Sequence, residues 1–431
     1  MQKKIYFLWF GQMLSWTGSQ MSFFGLGVWI FELTGNATAL SSILFTVAIV
    51  GTLTGPFGGV VADRFPRKRV IIVFDGIILL VMGFIGYLAF NDQLTVSKLI
   101  PFAIAFGIFE IAHWSTWQAF LGDVVKKENL TKAAALFESA GAISMLLGPI
   151  GGALIYATSG LVGVIVVDAI TFFIGITSII FIKTPPFEKR DRITFRNVLL
   201  DLKEGFLWVK NQKGLRTLVT IFAISNFAHG MISTILTPLV LNFADEKALG
   251  LVNSTFGVMF LLGSAISVRI SKKIQGNMKY VLLCGIFMSL AMMFGSIRPS
   301  VFVLITWIAI EGLCGTIQYT ISSGAWLTLT DEKIRGRAMA FRGTIAQSLR
   351  PVGILIAGPL GDYLEFDIYD KYRNILEPFF GTGNGRGYAI VLFLGGFLLL
   401  VVYGINYKNQ NLIKLQIQVE ESIKNAKDEI D

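Results

Sequence analysis

The sequence predicts an all-α polytopic membrane protein, with twelve transmembrane helices in two pseudo-symmetric six-helix bundles. Three observations carry that expectation: long apolar blocks, a one-sided placement of Lys and Arg, and a weak internal repeat. Of 431 residues, 54% are hydrophobic and 15% charged, against roughly 25% charged in a soluble domain. Blocks of ~20 apolar residues match the ~30 Å of hydrocarbon that a helix must cross. Lipid offers no partner to backbone polar groups, so each block forms a helix or part of a closed barrel. The blocks are continuous and lack the alternation of barrel strands, which leaves helices.

The elements follow in order. The first span, 5–31, comes after Met1-Gln2-Lys3-Lys4 and is too long for a cleaved leader, so it is expected to stay as a helix. Spans at 38–62, 69–90, 99–122, 132–157 and 161–182 complete the first bundle, within residues 1–182. Residues 183–215 read as a cytoplasmic linker with an amphipathic helix, because apolar residues up to Phe206 and Val209 recur at helical spacing opposite a basic face. Spans at 216–242, 249–270, 279–297, 300–326, 336–364 and 387–407 form the second bundle, within 216–407. Residues 408–431 are a polar, helix-prone cytoplasmic tail. Cys284 and Cys314 lie inside apolar blocks without metal-ligand spacing, and read as small buried residues.

Orientation comes from the basic residues. With the N-terminus inside, thirty of the 37 Lys and Arg residues fall in inward segments and six in outward ones, Arg350 lying within a span. Both termini are therefore expected in the cytoplasm of a multi-pass cell-membrane protein. The net charge of +9 is absorbed by loops facing anionic lipid, and no nucleic-acid partner is needed to explain it.

Aligning Glu128-Asn129-Leu130 with Glu332-Lys333-Ile334 sets Ala134 on Ala338, Phe137 on Phe341, Ser144 on Ser348 and Gly59 on Gly263. The two halves thus read as parallel repeats, which place a substrate site between them near mid-membrane.

Between the second and third spans stands Gly59-Val60-Val61-Ala62-Asp63-Arg64-Phe65-Pro66-Arg67-Lys68. It resembles the loop signature of the major facilitator superfamily, Gly-x-x-x-Asp-Arg-x-Gly-Arg-Arg/Lys, with Pro66 where the family usually has glycine. An aspartate followed by a basic cluster suits a cytoplasmic hinge: Asp63 caps a helix N-terminus, and Arg64 and Arg67 pair with acidic residues such as Asp123. Gly148-Pro149-Ile150-Gly151-Gly152 resembles the Gly-Pro-x-x-Gly signature of the superfamily's antiporters. Small residues there permit close helix approach, and Pro149 bends the helix. Gly11-Gln12, Ser15 to Ser19, Arg335-Gly336-Arg337 and Gly358 to Asp362 are similar to the drug:proton antiporter and macrolide efflux group.

Ionisable residues within spans are costly and point to function. Glu110, His113, Trp114 and Trp117 share a face of the fourth span; Trp307, Glu311 and Gln318 share one on the tenth. Ser225, Asn226 and His229 lie together on the seventh, as do Gln12, Ser15 and Ser19 on the first. The resemblance implies that these four spans line the central pathway. The third, ninth and twelfth read as carrying almost nothing ionisable mid-span, and Asp168 on the sixth stands apart. A carboxylate in low dielectric exchanges a proton more readily near neutral pH. Glu110 is expected to carry a coupling proton and Glu311 a second proton or a cationic substrate, with His113, His229 and Asp168 as further proton sites. Gln12, Trp16, Trp114, Trp117, Asn226, Trp307 and Gln318 are expected to contact substrate, the tryptophans as flat, cation-tolerant walls.

The expected function is secondary active export of amphipathic small molecules by proton antiport, as a monomer. No metal, cofactor or enzymatic motif is evident: Gly381 to Gly387 mimics a phosphate loop but follows no strand. A lysophospholipid or other lipid transporter, or a solute:proton symporter, is the alternative on the same scaffold.

Overall fold

The computed structural model describes residues 3–185, 195–274, 276–332 and 334–428. Side chains at 3, 56–60, 62–63, 111, 195–199, 271–273 and 426–428 lie outside that description, so Gly59 and Asp63 are placed only as backbone. The described residues form helices and no strand. In order these are α1 (Lys3–Thr34), α2 (Ala37–Arg64), α3 (Arg67–Phe90), α4 (Val96–Val124), α5 (Leu130–Ile180), α6 (Phe195–Asn211), α7 (Lys213–Leu241) and α8 (Glu246–Ile274). Then come α9 (Met278–Ile297), α10 (Val301–Leu329), α11 (Arg335–Gln347), α12 (Arg350–Tyr363), α13 (Arg373–Phe380), α14 (Arg386–Asn406) and α15 (Gln410–Asp428).

Nine helices among the described residues are long and apolar enough to cross a membrane, one of them running 54 residues from Lys127 to Ile180. A straight helix of that length would extend ~80 Å at 1.5 Å per residue. Gly160 interrupts it at φ 60, ψ −163, a conformation essentially open only to glycine. The segments on either side match the expected fifth and sixth spans. The expected eleventh span is also broken: α11 ends at Gln347 and α12 restarts at Arg350, with Pro351 in its first turn, where a missing N–H costs nothing.

The chain divides into two compact units, Met1–Val198 with Ala244–Gly257, and Leu199–Phe243 with Val258–Asp431. Within the first unit, α1 lies along both segments of α5. A methyl group added at Gly11 would stand 2.5 Å from Ser178 Cβ, and one at Gly152 would stand 3.1 Å from Met21 Cα. One at Gly148 would collide with Gln20. The Gly-Pro-x-x-Gly stretch therefore serves a close helix crossing. In the same unit α2 meets α4 at Gly107, and α3 meets the second segment of α5 at Gly86.

The second unit repeats the pairing. α7 lies on α12 and α14, α8 meets α10 at Gly263, and α9 lies on α10 and α14. The first, second and third helices of each unit thus choose corresponding partners. The sequence repeat, weak in identity, is plain in the packing.

Three peripheral pieces belong to the second unit. α6 docks on α11: Phe206 stacks edge-on against Phe341 at 5.6 Å, and Arg337 reaches Asp201 at 2.9 Å and also pairs with Glu204. α15 buries Leu412, Leu415 and Val419, spaced to share one face. Before α14, Gly381, Gly383 and Gly385 all take positive φ. The Glu365 carboxylate accepts the Gly385 and Gly387 amides at 2.5 and 2.6 Å. The stretch that mimics a phosphate loop is thus folded around an internal carboxylate.

Candidate functional site: a histidine–carboxylate pair in each unit

In the second unit, α7 and α10 bring His229 and Glu311 together, with Nε2 2.7 Å from Oε1. The Glu311 side chain is 4% exposed and that of His229 35%. His229 Nδ1 lies 2.9 Å from the Ser225 carbonyl oxygen one turn back. A carbonyl oxygen only accepts, so Nδ1 carries a hydrogen. Neutral imidazole then offers Nε2 as an acceptor, and a carboxylate also only accepts. The 2.7 Å contact therefore needs one more proton, held between Nε2 and Oε1. Arg350, at the start of α12, also acts electrostatically on the imidazole.

Local packing fixes His229. A methyl on the next residue, Gly230, would stand 3.0 Å from Ile354 N, and one on Gly353 would stand 2.9 Å from the carbonyl carbon of Phe227. α7 and α12 thus touch backbone to backbone on either side of His229.

A second group lies on an adjoining face of α7. Tyr403 on α14 meets Ser225 Oγ at 2.7 Å and accepts from Gln318 Nε2 at 3.0 Å; Gln318 also donates to the Val281 carbonyl at 2.8 Å. Gln318 is therefore placed in a buried network joining α7, α9, α10 and α14. Tyr403 was not expected from the sequence, where an aromatic in an apolar span reads as packing. Asn226 is half-buried and donates to Phe222 O. Trp307 is buried against Gly295.

In the first unit, His113 Nε2 on α4 stands 3.0 Å from Asp75 Oδ1 on α3. Asp75 corrects the reading of the third span as almost free of ionisable residues: it is a buried carboxylate in mid-helix, 6% exposed. A lone acid in the apolar run 69–90 was the available signal. Glu110 lies one turn before His113, exposed in this unit, and acts electrostatically on it. Trp16 sits 5.9 Å from both Trp114 and Trp117. Trp114 is exposed, whereas Trp117 is buried among Phe120 and Phe137. Gln12 is buried too, donating to the Gly175 carbonyl at 3.3 Å. Asp168 is 1% exposed and lies apart from these groups, on the second segment of α5.

The loop after α2 is held by its basic residues. Arg67 donates to Asp123 Oδ1 at 2.5 Å and to the Ala119 carbonyl at 3.2 Å. Lys68 donates to the Ile180 and Ile182 carbonyls at 2.8 and 2.7 Å. A cation there complements the C-terminal end of α5. Arg64 lies over the Phe65 ring at 6.0 Å. Pro66 is the N-cap of α3, which has no side-chain cap.

The sequence and the fold have counterparts among known proteins. Macrolide efflux protein A of Streptococcus pyogenes is 24% identical over 368 residues, 83% of this chain and 89% of that protein. The multidrug efflux pump Tap of Mycolicibacterium fortuitum is 24% identical over 338 residues, 76% of this chain and 82% of the pump. A bacterial homologue of the human lysosomal transporter Spinster, solved in an inward-facing, unoccupied conformation, superposes with a TM-score of 0.71 at 13% identity, covering 98% of this chain and 99% of that one. Residues 8–243, over half of the sequence, match the profile of the Major Facilitator Superfamily, and the chain belongs to that superfamily of membrane transporters.

Proposed function

We propose that the protein is a drug exporter: a secondary active transporter that expels amphipathic or hydrophobic small molecules, macrolide-like compounds among them, by proton antiport with alternating access of its two halves. The observation that carries the coupling is the His229–Glu311 contact, whose geometry needs a proton shared between two acceptors. The names of the macrolide and multidrug efflux relatives support the cargo class.

In this reading Glu311 and His229 take up a proton when the site opens outward and release it when the site opens inward. The proton and a cationic or polar substrate then exclude one another. Asp75, His113 and Glu110 form a second titratable group in the other half, and Trp114 with Trp16 gives an aromatic wall near it. The Arg67–Asp123 pair and the Gly148–Gly152 crossing hold the helices that rearrange. The protein works as a monomer with twelve spans and both termini in the cytoplasm of the plasma membrane.

Everted vesicles test the reading with a panel of fluorescent amphiphiles. Accumulation that depends on an imposed proton gradient and on the protein is expected for part of the panel. No gradient-dependent transport across a broad panel would count against export by antiport.

A further inference from the structure

A half-buried arginine in the second unit stands without a counter-ion. Arg342 on α11 reaches α10, where Tyr319, Ser322, Ser323 and Trp326 share one face. Its Cζ lies 5.9 Å from the Tyr319 ring centroid and 5.5 Å from that of Trp326. Its Nη2 donates to Ser323 Oγ at 3.1 Å and to Ser322 Oγ at 3.5 Å, and Nη1 stands 4.0 Å from Met339 Sδ. Other arginines of the chain sit on carboxylates: Arg67 on Asp123, Arg337 on Asp201 and Glu204, Arg373 on Asp370. Among the described residues, no aspartate or glutamate pairs with Arg342, and the ionisable side chain that acts on it electrostatically is Tyr319.

The cluster is rich in donors and lacks an acid. A guanidinium carries more N–H groups than these three contacts use. Ser322 and Ser323 accept from Arg342 and so keep their own hydroxyl hydrogens, for which no described residue is the acceptor. The two rings attract the cation through their faces, which offsets part of the cost of holding a charge away from water and leaves the charge itself unneutralised. Trp326 and Ser322 are 0% and 1% exposed, whereas Tyr319 is 61% exposed. The cluster is therefore closed at its Trp326 end and open at its Tyr319 end.

We propose that Arg342, Ser322 and Ser323 form a binding site for the carboxylate of an amphipathic organic anion, whose apolar body lies along Tyr319. The planar guanidinium fork matches a carboxylate, and the two hydroxyls supply further donors to it. An exposed aromatic ring beside the charge favours an acid with an aromatic or apolar body over a small free anion. The site goes beyond the export reading, because binding here is claimed whether or not the bound anion is carried across the membrane.

The experiment is calorimetric titration of the purified full-length protein with 2-naphthoate and with its uncharged counterpart of similar shape, 2-naphthamide. Wild type is expected to bind the naphthoate at least about tenfold more tightly than the amide, and Arg342→Gln to bind the naphthoate at least about tenfold more weakly than wild type, as expected for losing a charge-assisted pair. Ser323→Ala keeps the guanidinium and removes one hydroxyl, so it should weaken naphthoate binding by about fivefold, the scale of one hydrogen bond. That variant carries the test if Arg342→Gln does not fold. Naphthoate binding that is absent from folded wild type, matched by the amide, or equal in wild type and folded Arg342→Gln overturns the proposal, as does equality with Ser323→Ala where only that variant folds. Displacement of naphthoate by an equal concentration of inorganic phosphate would mark a site for small free anions and overturn the amphipathic assignment. Since the readout is binding by isolated protein, its failure is separable from a failure of gradient-driven efflux in vesicles.

Discussion

His229 Nε2 and Glu311 Oε1 stand 2.7 Å apart, while His229 Nδ1 faces the Ser225 carbonyl at 2.9 Å. The proposed proton-holding role of the pair rests on these two distances together. The carbonyl fixes the tautomer, and the tautomer leaves two acceptors facing each other unless a proton lies between them. Ser225 also meets Tyr403 through its hydroxyl, so the residue that orients the imidazole is tied to α14 as well.

Glu311→Gln tests the pair in transport. The carboxamide has nearly the same shape and donates an N–H to neutral His229 Nε2, so the fold and the contact should persist. It cannot take up or release a proton. Proton-driven efflux should fall by about a hundredfold, the scale of a lost acid–base group, while substrate still equilibrates down its own gradient. Efflux assays at several imposed pH gradients check this; gradient dependence equal to wild type would place the coupling group elsewhere.

The α7–α12 crossing makes a prediction about stability. Adding a Cβ at Gly353 drives it into the Phe227 backbone, which no rotamer change relieves. Gly353→Ala should destabilise the protein by about 2 kcal/mol or more, in the range of overpacked interiors, and lower the yield of monodisperse protein. Gly324→Ala on α10 is the control: a Cβ there meets nothing within 4 Å. Thermal unfolding followed by size-exclusion fluorescence separates the two.

Asp75 and His113 should behave as one energetic unit. Asp75→Ala leaves the largely buried imidazole without its carboxylate. His113→Ala strands a buried acid. Each single variant should lower stability by more than half as much as the double variant does, with a coupling energy of about 1–2 kcal/mol, as found for residues in contact. Purely additive losses in a thermal double-mutant cycle would show that the 3.0 Å contact contributes nothing.

The segment between α12 and α14 gives a pH prediction. Tyr369, between the membrane-spanning helices, donates its hydroxyl to the Gly381 carbonyl. Burial raises its phenol above the ordinary value of 10.0. A group whose folded pKa is raised contributes stability below the unfolded value and loses it as pH climbs through the folded one. The segment around Glu365 and Gly381 should therefore loosen above about pH 10, seen as faster proteolysis of the 370–385 stretch, and Tyr369→Phe should show no such alkaline step.

Much of this fold is legible in the sequence because membrane burial leaves few options. Apolar block length predicts the helices, and Gly-Pro-x-x-Gly anticipates a close helix approach without naming α1 as the partner. The basic loop anticipates the contact between Arg67 and Asp123. Faces along a single helix are also readable: His229 and Ser225 are expected together, as are Glu110 and His113. What the sequence does not reveal is which face meets which neighbour. Periodicity places His229 on α7 and Glu311 on α10 without indicating that they touch, and it does not distinguish a buried Gln318 or Trp307 from one facing a pathway. Asp75 is a different case: one acid in an otherwise apolar third span gives a weak signal beside the richer stripes on the first, fourth, seventh and tenth. Tyr403 carried no signal, since its role depends on Ser225 and Gln318 arriving from other helices.

The most direct test of the central claim is substrate-induced proton release. Purified protein in weakly buffered detergent solution, with a pH indicator present, is mixed with an amphiphile that the vesicle assay shows to be transported. Wild type should release protons on binding, and Glu311→Gln should bind the same compound and release none. Equal proton release by Glu311→Gln would contradict the assignment of the coupling proton to the His229–Glu311 pair.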